Sequence, residues 1–179
     1  MRIRLLHILS IALIFSILPG MNSVGQTTTV FIVRHAEKYM KDSTDKNPPL
    51  SKEGKKRVKA LEKKLKSVQL AAVFSTRTIR TEETGRPLAS ANNIAVQHYD
   101  AKDLKALAEK IKTAYAGKNV LVVGHSNTVL PTVNALGGIT IMAMIPDNVY
   151  NLFFKVTIDA AGKAVVMQEV YGKDPVAKK

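Results

Sequence analysis

The chain contains no cysteine. That excludes disulfides, thiolate catalysis and a lipid-bearing cysteine. It also lacks any long tract of disordered composition and any repeat with a period of 20–50 residues, so it is neither a linker-rich chain nor a solenoid. Its most prominent apolar run, LLHILSIALIFSIL, falls short of the ~20 residues that a membrane span requires. Acidic residues are scarce, 14 against 27 lysines and arginines, and there are only four histidines. What is present is ordinary for a globular protein: 179 residues, 46% hydrophobic and 23% charged, enough for one domain with a core of its own.

Residues 1–25 read as separate from that domain. Arg2 and Arg4 precede the apolar run, Pro19 and Gly20 break it, and Ser23 and Gly25 stand at the −3 and −1 positions for cleavage before Gln26. This is a signal-peptide pattern, which predicts an exported protein, periplasmic or extracellular, with no stable membrane span after cleavage, and a domain over 26–179; the alternative is a leader retained uncleaved as a membrane anchor. Without Arg2 and Arg4, 25 basic residues face 14 acidic ones. Charge alone would permit nucleic-acid binding. However, most of the excess lies in SKEGKKRVKALEKKLKS, where Val58, Leu61, Leu65 and Val68 form an apolar stripe and the lysines take the opposite, solvated face. No nucleic acid is required to explain it.

The mature chain alternates strand and helix patterns. TTVFIV is apolar and β-branched throughout, as a strand covered on both faces would be. After the loop YMKDSTDKNPPL, Ser51 is placed to cap the basic helix. LAAVFS reads as a strand, a helix begins near Arg77, IAVQHY contains a further strand, and DLKALAEKIKTAYA reads as a helix ended by Gly117. NVLVVG is a strong strand, VLPTVNAL a helix stopped by Gly137 and Gly138, and NLFFKVTI and AVVMQEVY are strands flanking the turn DAAG. The fold class is α/β, a three-layer sandwich with a central, mostly parallel sheet flanked by helices.

Three of these strands end on polar or cationic residues: TTVFIV at Arg34 and His35, AAVFS just before Arg77 and Arg80, NVLVVG at His125. In open α/β sheets that carboxyl edge is where ligands bind. Arginine stays charged and offers paired donors that match phosphate oxygens, so the converging group points to a phosphate guest. A histidine that keeps one nitrogen neutral can attack phosphorus, which makes His35 a nucleophile and not merely a base.

These residues carry a resemblance. RHAEK resembles the Arg-His-Gly signature of the histidine phosphatase superfamily, also called phosphoglycerate mutase-like. FSTRTIRTEETGRPLA resembles its second-arginine segment, VLVVGHSNTV the segment holding its second histidine, and LSKEGKKR its leucine-serine/threonine-x-x-glycine helix start. The order and spacing agree from Thr28 to Leu136. The resemblance implies a phosphoglycerate mutase-like fold over 26–179 and a metal-independent phosphomonoester hydrolase without cofactor, acting on a small or macromolecular phosphomonoester. In it His35 matches the phosphate-accepting histidine, Arg34 and Arg80 the phosphate clamps and His125 the second pocket histidine. Asn127 and Lys38 are further candidates for substrate contact.

Two departures stand out. Ala36 replaces the usual glycine, and Arg77 occupies a frequent proline position, so the choice of Arg80 over Arg77 rests on Thr81 and Thr84. Several other readings stay open. Glu37, Asp100, Asp103, Asp147 and His125 are all possible proton donors to the leaving group. Glu37 and Lys38 form either a local ion pair or the border of the pocket, and Asn127 either caps a helix or touches phosphate. His98 has no partner motif and reads as structural or surface. A phospho-ligand-binding module on the same fold and a mutase-like phosphotransferase are the rival functions. A nucleophile elbow at Ser126 lacks its last glycine and a following histidine, and a metal on His35, Glu37 and His125 would sit against arginines.

Overall fold

In the computed structural model, residues 27–40 and 44–174 are described. The leader pattern in residues 1–25 lies outside them. The elements run β1 (Thr28–Arg34), α1 (Lys52–Lys64), β2 (Leu70–Ser75), α2 (Ile79–Ala91), β3 (Val96–His98), α3 (Leu104–Ala114), β4 (Asn119–Gly124), α4 (Val129–Ala135), β5 (Leu152–Ile158) and β6 (Ala164–Val170). They build one six-stranded sheet in the order β3-β2-β4-β1-β5-β6. The first four strands are mutually parallel, while β5 runs antiparallel to β1 and β6 antiparallel to β5.

The continuous apolar character of β1 and β4 follows from cover on both faces. Val30, Ile32, Val120 and Val122 pack into one core with α3 and α4, and Phe31, Val33, Leu121 and Val123 into another with α1 and α2. Period-two patterning disappears because neither face meets water. β6, at the sheet edge, keeps Val165, Met167 and Val170 more than half exposed. Among the described residues no helix is long and apolar enough to cross a membrane.

The helix ends explain where the site residues land. Ser51 caps α1 by accepting the Gly54 N–H at 3.0 Å. The stripe Val58, Leu61 and Leu65 is buried as the spacing predicts, and Val68 packs against the same core. α2 begins at Ile79, two residues later than expected, because Thr78 takes the extended N-cap conformation. Arg77 therefore stays outside the helix and exposed, whereas Arg80 enters its first turn and is half-buried. α3 stops short of Gly117 and α4 short of Gly137. β3 is only three residues long, shorter than IAVQHY.

Candidate functional site

The register levels the parallel strands so that their carboxyl ends meet. Arg34 pairs with Gly124 across β1 and β4, and Ser75 with Val123 across β2 and β4. Immediately beyond, the His35 N–H donates to the Gly124 carbonyl at 2.9 Å, which carries the ladder one residue past the end of β1. The rings of His35 and His125 come to rest with centroids 5.4 Å apart, although 90 residues separate them in the chain. Two close approaches hold this corner. A side chain on Gly124 would stand 2.7 Å from the Thr128 hydroxyl that accepts the His125 N–H, and one on Gly54 would run into the Glu37 carbonyl. The glycine of LSKEG is thus a packing requirement of the segment that follows His35.

His35 is 4% exposed, and its Nδ1 lies 2.8 Å from the Ala36 carbonyl. A carbonyl only accepts, so Nδ1 carries the proton and Nε2 the lone pair. Burial, with the charges of Arg34, Arg80 and His125, drives the His35 pKa down to about 3 against a raising contribution from that hydrogen bond. His125 is lowered to about 4 by burial and by Arg80 and Arg34. Its Nε2 meets the Thr76 hydroxyl at 2.8 Å, and Thr76 in turn meets Thr81. Both rings are neutral at neutral pH.

The arginines differ in how their donors are used. Nη1 of Arg34 donates to the carbonyls of Pro146, Asp147 and Val149 at 3.0–3.1 Å, and its guanidinium lies 4.1 Å from the Tyr150 ring centroid. Its Nε is buried without a partner. Arg80 has two such atoms, Nε and Nη1. Burial pulls both guanidinium groups below their ordinary pKa, and Arg34 adds repulsion at Arg80. Buried donors left unpaired are costly unless an acceptor completes them, and an oxyanion is the acceptor that suits a guanidinium. Thr84 ties the two halves together: its hydroxyl accepts the Ala36 N–H at 3.0 Å and donates to the Arg80 carbonyl at 2.7 Å. Ala36 itself is fully buried.

Of the remaining expected residues, Asn127 is exposed and Thr128, not Asn127, stands at the N-cap of α4. Lys38 forms a backbone bridge with Leu50. Glu37 pairs neither with Lys38 nor with the pocket; Arg57 takes its carboxylate through Nε and Nη2 at 2.6–2.9 Å. Asp103 caps α3 through the Ala106 N–H, and Asp147 has a 96% exposed side chain 4.0 Å from Arg34. Asp100 lies at the rim of a cleft beside His125. His98, read as structural or surface, is exposed and meets Glu82 at 2.9 Å.

Arg57 was not anticipated. It is buried on the Gly54, Val58, Leu61 side of α1 and also donates to the carbonyls of Tyr171 and Lys173, so it clips the segment after His35 to the end of the domain. A cation on the apolar stripe was the signal for it. Tyr150 and Thr76, which border the histidines, carried no such signal. Among the described residues no three histidine, aspartate or glutamate side chains gather as a metal-holding group.

Comparison with known proteins agrees with the fold. Residues 30–105 match the profile of the histidine phosphatase superfamily (branch 1). Among solved structures, the chain is similar to the protein histidine phosphatase SixA complexed with tungstate, with a TM-score of 0.64 at 21% identity over 79% of this chain and 96% of that one. It is also similar to a mycobacterial glucosyl-3-phosphoglycerate phosphatase, TM-score 0.63 at 10% identity over 81% and 98% of the two chains. A phosphoglycerate mutase from Bacillus anthracis str. Sterne gives 0.60 at 12% identity over 82% and 94%. These likenesses are of fold. No curated protein sequence matches the chain.

Proposed function

We propose that the protein is a phosphomonoester hydrolase that works through a phosphohistidine on His35. The observation that carries this reading is the His35 ring itself, with Nδ1 committed to the Ala36 carbonyl and a pKa near 3, next to two arginines with unpaired buried donors. Nε2 attacks phosphorus in line and forms an N–P bond while the ester P–O bond breaks and its electron pair leaves with the alcohol oxygen. Arg34, Arg80 and His125 hold the equatorial oxygens, whose charge the fixed donors stabilise without rearrangement. Water then attacks the phosphohistidine and breaks the N–P bond, and the proton it gives up to solvent balances the one the departing alcohol oxygen takes up, so that alcohol, inorganic phosphate and neutral His35 are released. The arginines supply the charge that a metal would otherwise bring.

The test is a rapid quench with a labelled aryl phosphate, whose leaving group needs no proton donor. Acid-labile, alkali-stable label mapped to the His35 peptide is expected, and label on Ser126 overturns the reading. The leader pattern in residues 1–25 supports a further proposal, that the domain works outside the cytoplasm. Fractionation of cells expressing the full chain tests it, and a wholly cytoplasmic, uncleaved product contradicts it.

A further inference from the structure

Next to His125 the surface opens into a cleft of about 600 Å³, lined by Thr76, Arg77, Thr78, His98, Tyr99, Asp100 and Ala101 as well as His125 itself. Its floor is rigid: Tyr99 is largely buried with its hydroxyl directed to the Val123 carbonyl, and Thr76 is held by Thr81. Most of its charge is already committed. His98 is spent on Glu82, and Asp100 accepts the Lys102 N–H through Oδ1 within its own turn. Arg77 is different. It is exposed and makes no hydrogen bond or ion pair among the described residues. The charges that depress both histidines come from Arg34 and Arg80, not from Arg77.

A phosphoryl group held between His35, His125 and Arg80 has to direct its ester oxygen away from the attacking Nε2. The cleft shares His125 with that pocket and has the volume of a small-molecule site. We propose, building on the hydrolase reading, that this cleft receives the leaving group and that Arg77 selects leaving groups bearing a second anionic group. Asp100 borders the same space, so that anion lies on the Arg77 side. The second charge distinguishes the class: diphosphorylated or carboxylated phosphomonoesters in preference to neutral ones.

The experiment compares phenyl phosphate with 3- and 4-carboxyphenyl phosphate, which differ in one carboxylate. A preference in kcat/KM of about threefold to tenfold for a carboxylated ester is expected, the size of a partly exposed charge pair. Arg77→Ala brings that ratio to near one, Arg77→Lys keeps part of it, and Arg77→Glu inverts it. Equal losses on all three esters, or a ratio that ignores the charge at residue 77, would overturn the proposal. Failure of the unmodified protein to turn over phenyl phosphate would strike the hydrolase reading instead. In that event the same ratio, read as dissociation constants on the His35→Ala protein, still decides the role of Arg77.

Discussion

The end of β1 and the first turn of α2 each send an arginine toward the two histidines, yet the two guanidinium groups live differently. Arg34 spends Nη1 on three carbonyls of the 146–149 segment and stacks on Tyr150, and of its donors Nε is buried without a partner. Arg80 keeps Nε and Nη1 buried and unpaired. The first charge is thus mainly a structural strut that also faces the site, and the second leaves more of its buried donors without a partner. A cation whose donors are mostly satisfied internally stabilises the free protein, whereas one with more orphaned donors costs stability until an anion arrives. One pocket therefore combines an arginine that supports the fold with one that the fold merely tolerates.

The largest effect expected removes the ring between them. His35→Ala should lower kcat/KM on an aryl phosphate by at least ~10³-fold with the circular dichroism spectrum intact, as for a residue acting directly on the reacting atom. Next, Arg80→Ala should cost ~10²–10³-fold, the usual loss for one preorganised donor, while Tm stays level or rises because a buried unpaired charge has gone. Vanadate inhibition should weaken in step, and far more than in Arg77→Ala. Arg34→Ala sharpens the contrast: a comparable loss of activity accompanied by a fall in stability of about 2–4 kcal/mol in denaturant titration, since three carbonyls lose their donor. If Arg80→Ala were the destabilised variant and Arg34→Ala the stable one, the comparison would be reversed.

A smaller effect lies in the titrations. Both arginines lower both histidines, but Arg34 is the larger charge at His35 and Arg80 at His125. NMR titration should show Arg34→Ala raising His35 more, and Arg80→Ala raising His125 more. The sign for stability follows. Unfolded histidine takes its proton near pH 6.5, while the folded rings resist until about 3 and 4. Below pH 6.5 the unfolded state binds more protons, so stability is full above that value and is lost as the pH falls toward 4. His35→Ala should flatten this loss in thermal melts at stepped pH. Smallest of all is the chelator: dialysis against it should leave turnover unchanged, and activity restored only by a divalent ion would contradict a pocket built on arginine charge.

The sequence showed the framework more clearly than the furniture. β1 and β4 were legible because cover on both faces erases alternation and leaves unbroken apolar runs. The convergence of Arg34, His35, Arg80 and His125 at one edge was legible because each stands where a strand or the following helix turn begins to face that edge. The pairing of Glu37 with Arg57 was not, because lysines on either side of Arg57 made it look like one more solvated charge. Tyr150 escaped notice for another reason. Its position depends on how the loop between α4 and β5 folds back onto Arg34, which no local periodicity encodes.

The place of β1 in the sheet bears on how the chain comes into being. β1 lies between β4 and β5, so TTVFIVR has no ladder partner until residue 119 has been made, and no second partner until residue 152. During N-to-C synthesis this apolar, β-branched strand waits with both edges bare, the kind of segment through which unfinished chains associate. Pairings this distant in sequence also slow the search for the native sheet. The basic run that follows, from Lys52 to Lys66, is already made while β1 waits. Like charges repel, so a helix face that is only solvated in the finished domain is expected to act as a gatekeeper against association of unfinished chains.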